Sequence, residues 1–179
     1  MTLNDIITGA LVQLDKGTDA MTFDAFRAKF TAFANDAQND LACVIKPYRT
    51  DTVLPVGSRA DLRNLPRSCI KIIGITQLGR SVKFARGESS DIILLPHNSP
   101  AAITYIFRPA PLSNLNDISE LPESVHSLII MYIVGRERMS GDVSTQRGSR
   151  MHLAMYENAK AGLTAGIGES AENQFINKY

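Results

Sequence analysis

The chain is 179 residues long with a formal net charge of +1. That length allows one domain, or one domain with a smaller insert, and a compact fold of this size buries roughly 70% of its unfolded surface without covalent staples. Its two cysteines, Cys43 and Cys69, form no Cys-x-x-Cys pair and have no histidine at ligand spacing, which argues against a zinc site or a disulfide framework and for a reducing compartment.

The first residues, Met1-Thr2-Leu3-Asn4-Asp5, carry an acid where a secretory leader carries basic residues, so no targeting segment is expected. Thr2 and Asp5 have the spacing of a capping box. Leu3, Ile6, Ile7, Ala10, Leu11 and Leu14 then share one helical face, with Gly17 as the expected stop. Thr22 is the expected N-cap of a second helix, with Met21 placed to staple onto Phe26. The stripe of this helix is Phe23, Phe26, Phe30, Phe33, Ala37, Leu41 and Val44, a core pattern, and Pro47 stops it.

After Pro47 the period changes to alternation, broken by Gly, Pro, Asn and Ser clusters. Strands are expected over residues 50–54, 70–78, 82–85, 91–95 and 102–108, with a tight turn at Leu78-Gly79-Arg80-Ser81 and a helical turn over 65–69. Ile103, Tyr105 and Phe107 fall on one side of the last strand, so the sheet has one well-covered face. Residues 46–86 also hold nine Lys/Arg against two Asp/Glu. Such a block attracts nucleic acid or an acidic protein surface, although most charge runs are solvated faces.

A polar loop with Pro109 and Pro111 leads to a central helix opened by Leu121-Pro122-Glu123. From Leu128 to Val134 every side chain is apolar or aromatic, so this helix has to be covered on several sides. It falls short of the roughly 20 apolar residues of a membrane span. Gly141 is the expected left-handed cap. A final helix is expected over 144–163, with Arg147, Met151, Met155, Ala159 and Leu163 every four residues. Gly166 and Gly168 then end it before a polar tail with Phe175, Ile176 and Tyr179. The expected fold class is therefore α+β: a bundle of about four helices from residues 1–46 and 120–168, an antiparallel β-sheet or sandwich inserted at 47–119, and an extended arm at 169–179.

No phosphate-binding glycine loop, Gly-x-Ser-x-Gly elbow or His-Glu-x-x-His motif is present in the sequence. His97, His126 and His152 are scattered, and His126, in an apolar helix, reads as structural. Asp36 and Asp40 stand four apart and read as surface carboxylates. The expectation is a protein without catalytic residues, metal or cofactor. One alternative is DNA binding in the manner of a helix-turn-helix, with Arg136, Arg138, Arg147 and Arg150 around the turn between the last two helices.

The order of elements carries a resemblance. A short helix ending in Ala10-Leu11-Val12-Gln13-Leu14-Asp15-Lys16-Gly17 leads to a helix bearing Phe30-Thr31-Ala32-Phe33-Ala34-Asn35-Asp36-Ala37-Gln38-Asn39-Asp40-Leu41-Ala42. The β insert ends in Tyr105-Ile106-Phe107-Arg108-Pro109, and Glu120-Leu121-Pro122 opens the central helix. Over roughly residues 2–165 the chain resembles the head-to-tail adaptor (connector) proteins of tailed bacteriophages, Asn35-Asp36-Ala37-Gln38 being the most specific piece. The resemblance implies a virion protein of the neck, assembled in the host cytoplasm. It implies a ring, typically of twelve copies, that binds the portal protein, presents a surface to a tail or nozzle protein, and lets packaged double-stranded DNA pass without sequence recognition or any membrane. A tail completion or nozzle-type protein is the neighbouring reading. Within this picture Phe175, Ile176 and Tyr179 would anchor a portal-binding arm, and Arg59, Arg63 and Arg67 would face an acidic partner surface.

Overall fold

The computed structural model describes residues 1–139 and 143–172. The chain divides into two compact units, Met1–Ile45 with the chain from Pro109 onward, and Lys46–Arg108. Among the described residues the first holds helices α1 (Leu3–Gln13), α2 (Ala20–Ile45), α3 (His126–Arg138) and α4 (Val143–Glu172). The second holds strands β1 (Tyr48–Val53), β2 (Arg59–Asp61), β3 (Cys69–Gln77), β4 (Arg80–Ser81), β5 (Ala85–Arg86), β6 (Ile92–Leu94) and β7 (Ala101–Phe107). The fold class is α+β, as the pattern predicts. No helix among the described residues is long and apolar enough to cross a membrane.

Helix α1 starts on the expected capping box: the Asp5 N–H donates to Thr2 Oγ1 at 3.2 Å and the Thr2 N–H to Asp5 Oδ2 at 2.9 Å. It stops earlier than expected. Asp15 takes a left-handed φ of 54° and the Lys16 N–H returns to the Leu11 carbonyl at 3.0 Å, which closes the last turn before Gly17 is reached.

The start of α2 also differs. Asp19 accepts the Thr22 N–H at 3.0 Å and the Thr22 hydroxyl at 2.8 Å, so the aspartate does the capping assigned to Thr22. Met21 thereby falls within the helix and is 81% exposed instead of stapled to Phe26, whose ring lies 4.4 Å from the Lys16 ammonium. The core stripe runs through Phe30, Ala34, Ala37 and Leu41, all buried.

Ahead of α3 a 3-10 turn over Glu123–Val125 moves the α-helical start from Pro122 to His126. Ile129, Ile133 and Val134 are fully buried. A methyl group built on Gly135 would sit 2.8 Å from Leu153 Cδ2, so the backbones of α3 and α4 approach closely there. The Ser149 hydroxyl donates to the Gly135 carbonyl at 2.7 Å across the same contact.

The expected stripe of α4 is overturned: Met151 and Met155 are exposed, while Ser149 and Tyr156 are buried. The Tyr156 hydroxyl donates to Asp40 Oδ2 at 2.6 Å, and Lys160 Nζ reaches the same oxygen at 2.8 Å. A buried tyrosine with a polar tip to satisfy thus fixes the rotation of the helix. Helix α4 also runs past Gly166 and Gly168 to Glu172. The expected cap Gly141 lies outside the described residues.

Residues 109–121 are pinned to α1 and α2. Asn35 Nδ2 donates to the Leu112 carbonyl at 2.9 Å while its Oδ1 accepts the Leu112 N–H at 2.8 Å. Gln38 Nε2 donates to the Ala110 carbonyl at 2.8 Å and its Oε1 accepts the Ser119 hydroxyl at 2.8 Å. The N–H groups of Leu3 and Asn4, free at a helix start, donate to the carbonyls of Asp117 and Leu115.

In the other unit the strands form two antiparallel sheets, ordered β1-β7-β3-β4 and β2-β6-β5. Strand β7 alternates as expected, with Ala101, Ile103, Tyr105 and Phe107 buried against Ile75, Ile93 and Leu95. The strand expected over 82–85 is replaced by two pairs of residues, β4 and β5, one in each sheet, and the expected helical turn sits earlier, at Leu62–Asn64.

Candidate interaction surface

The three arginines expected on one partner surface are divided between two hollows of the β unit. Arg63 and Arg67 line an open depression of about 330 Å³ together with Pro66, Ser68, Cys69 and Asp91. Arg59 lines another of about 280 Å³ with Arg86, Gly87, Glu88 and Leu94. Each hollow contains an acid, and the arginines use their neighbours. Arg63 Nη2 lies 2.6 Å from Asp61 Oδ2, Arg59 Nη2 lies 3.0 Å from Glu88 Oε1, and Arg67 Nη1 donates to the Pro66 carbonyl at 2.9 Å. Hydrogen bonds from the Arg63 side chain hold the Asp61 carboxyl below the usual carboxylate range.

The same unit holds a polar network between β1 and β7. Asp51 takes Arg49 Nε at 2.6 Å and the Tyr105 hydroxyl at 2.7 Å. The Arg49 hydrogen bond holds the Asp51 carboxyl low, while burial and the bond to Asp51 push the Tyr105 phenol up to about 12. Burial also pushes the Cys69 thiol up, which keeps it a poor nucleophile. The arrangement ties β1 to β7 through side chains as well as backbone.

Two arginines of the DNA-binding alternative, Arg136 and Arg138, turn back onto the helices. Arg136 lies 5.3 Å from the Phe33 ring centroid and 5.9 Å from that of Tyr132. Arg138 Nη2 donates to the Gln13 carbonyl at 3.2 Å, at the negative end of α1. Arg150 is exposed, and the side chain of Arg147 lies outside the described residues, as do Phe175, Ile176 and Tyr179 of the arm. Among the described residues no group of three or more His, Cys, Asp or Glu is placed to hold a metal ion.

Of the two hairpin tips of the β unit, the sequence missed the one at Gly57-Ser58 and placed the tight turn near Leu78-Gly79. In the first, the Val56 N–H donates to the Arg59 carbonyl at 2.8 Å and the Arg59 N–H to the Val56 carbonyl at 3.1 Å, around Gly57 (φ 57°) and Ser58 (φ 65°). In the second, Gln77 pairs with Arg80 around Leu78 (φ 50°) and Gly79 (φ 72°). Both are two-residue turns with left-handed central residues, the type whose twist matches a hairpin. Their large side chains are apolar and in water: Leu54 is 72%, Val56 81% and Leu78 73% exposed. Val53 and Gln77 both pair with Ala101, so Leu54 and Leu78 leave the four-stranded sheet at the same end, about 10 Å apart by two strand spacings. The legible signal was Leu78-Gly79, a turn that places a leucine where asparagine or glycine is the usual choice.

Compared with known proteins, neither a family model nor a curated protein sequence matches this chain.

Proposed function

We propose that this protein is a non-enzymatic structural component of a tailed-phage virion, an adaptor ring that joins the portal to the tail and continues the DNA channel. The observation that carries the reading is the role of Asn35 and Gln38. These residues belong to the most specific piece of the adaptor resemblance, and they are the side chains that fasten the return segment from the β insert onto α2. The motif is thus tied to the feature that defines the architecture, a helical unit interrupted by a β insert. Two-residue hairpins with exposed apolar tips suit a protein that works by docking.

Arg136 and Arg138 pack against aromatic rings and a helix end, which favours the adaptor reading over sequence-reading of DNA in a major groove. The test is to mix the purified chain with the intact portal protein of the same source and image the product by electron microscopy with symmetry analysis. A collar of twelve-fold symmetry on the portal is the expected result. No association with a portal shown to be intact overturns the adaptor role and moves the protein to a more distal tail-completion or nozzle position.

A further inference from the structure

Leu78 does nothing for the fold that a smaller polar residue would not do better. It sits at a left-handed position where its Cβ crowds the following carbonyl oxygen, with no side-chain hydrogen bond to compensate as asparagine or aspartate would have, and it is exposed, so no packing offsets the strain. Backbone strain of this kind collects at sites of contact with other molecules. Val56 stands at the other hairpin tip, and an arginine follows each turn: Arg59, which pairs with Glu88 at 3.0 Å, and Arg80. The tips therefore present apolar side chains with a basic rim, on a unit of ten Lys/Arg and four Asp/Glu.

The complement is elsewhere on the same chain. Residues outside 46–108 hold nine Lys/Arg and fourteen Asp/Glu. The corner between α1 and α2 exposes Val12 (59%) and Met21 (81%) among Asp15, Asp19 and Asp24. Methionine adapts to whatever packs on it, and the nearby Lys16 is drawn away over Phe26.

We infer that the basic-rimmed hairpin tip of one copy docks on the acid-rimmed α1–α2 corner of a second copy, a head-to-tail contact between two different surfaces. Such contacts generate rings when the rotation closes and filaments when it does not. The inference rests on the ring reading above and names the surfaces that would build the ring. Opposite rims steer the encounter, and like charges at the same place exclude it.

Charge exchange at exposed positions tests this without disturbing the fold. Leu78→Asp suits its turn, because aspartate tolerates the left-handed conformation, and Met21→Lys replaces a side chain that is already in water. Sedimentation velocity and mass photometry on the full chain follow assembly. Each variant alone is expected to associate at least about tenfold more weakly than the wild type. An equimolar mixture is expected to recover assembly, because the aspartate tip of one variant then meets the lysine corner of the other.

Either variant assembling like the wild type, or a mixture that stays dissociated, overturns the inference and leaves the adaptor role standing. A wild-type chain that is monomeric in solution and on the intact portal overturns the ring and this inference together. Wild-type binding to anionic phosphatidylserine vesicles that Leu78→Asp abolishes, with self-association unchanged, assigns the tips to a lipid surface and overturns it as well.

Discussion

His126 is buried at the start of α3, with Nε2 2.8 Å from the Leu121 carbonyl and Nδ1 3.0 Å from the Met1 nitrogen. Against a carbonyl Nε2 must donate, which leaves Nδ1 as the acceptor of a neutral ring. Burial pushes the pKa below 6.5, the Leu121 hydrogen bond opposes that, the positive Met1 nitrogen adds to it, and Glu123 opposes it weakly. Because the folded value lies below the unfolded one, the unfolded chain takes up the proton first. Stability is therefore complete above the unfolded pKa and is lost as pH falls from about 6.5 toward the folded value. Urea midpoints measured across this window are expected to drop on acidification, and His126→Gln should flatten the profile while lowering the midpoint at neutral pH. A second residue-scale prediction concerns the clamp on the return loop. Asn35→Ala removes the partners of both the Leu112 N–H and the Leu112 carbonyl and is expected to cost about 2 kcal/mol, read as a lower denaturant midpoint with an unchanged slope.

At the scale of elements, two glycines of the helical unit predict opposite signs. Gly135→Ala forces a methyl group to 2.8 Å from Leu153 at the α3–α4 contact and is expected to destabilise by about 1–3 kcal/mol. Gly162→Ala meets nothing within 4 Å on an exposed helix and is expected to stabilise by up to about 1 kcal/mol. In the β unit, Leu78→Asn relieves the left-handed strain and is expected to stabilise by about 1 kcal/mol, seen as a higher Tm in calorimetry. The elements that the sequence predicted well share a physical cause. The phenylalanine stripe of α2, the apolar run of α3 and the alternation of β7 each bury one pattern with little competition. Its errors lie where two residues could perform one task. Asp19 and Thr22 both qualify as a cap, and the aspartate won, which turned Met21 outward. In α4 apolar residues occupy more than one face, so the choice fell to a hydrogen bond between Tyr156 and Asp40, 116 positions apart, that no local pattern contains. The arginines of the β unit looked like one surface because spacing along the chain is silent about Glu88, 29 positions from the Arg59 it pairs with, and about the two hollows that divide them.

For the molecule as a whole, charge is divided by unit, with net +6 within residues 46–108 and −5 outside them. Association driven by such complementary surfaces is screened by salt. Raising ionic strength from about 0.05 to 0.5 M shortens the screening length severalfold and is expected to shift sedimenting species toward monomer, whereas assembly driven by apolar burial alone would hold or strengthen. The division of the chain also has a temporal side. The helical unit is assembled from Met1–Ile45 and the chain from Pro109 onward, so α1 and α2 emerge from the ribosome before the helices that bury them exist. At the usual pace of roughly 5–20 residues per second, the intervening 63 residues delay completion by about 3–13 s. During that interval the continuous β unit is free to form first while Phe30 and Leu41 stand uncovered. The nascent chain is thus expected to depend on trigger-factor-like holdases early in synthesis, a dependence that ribosome profiling of chaperone-bound intermediates would place before residue 126.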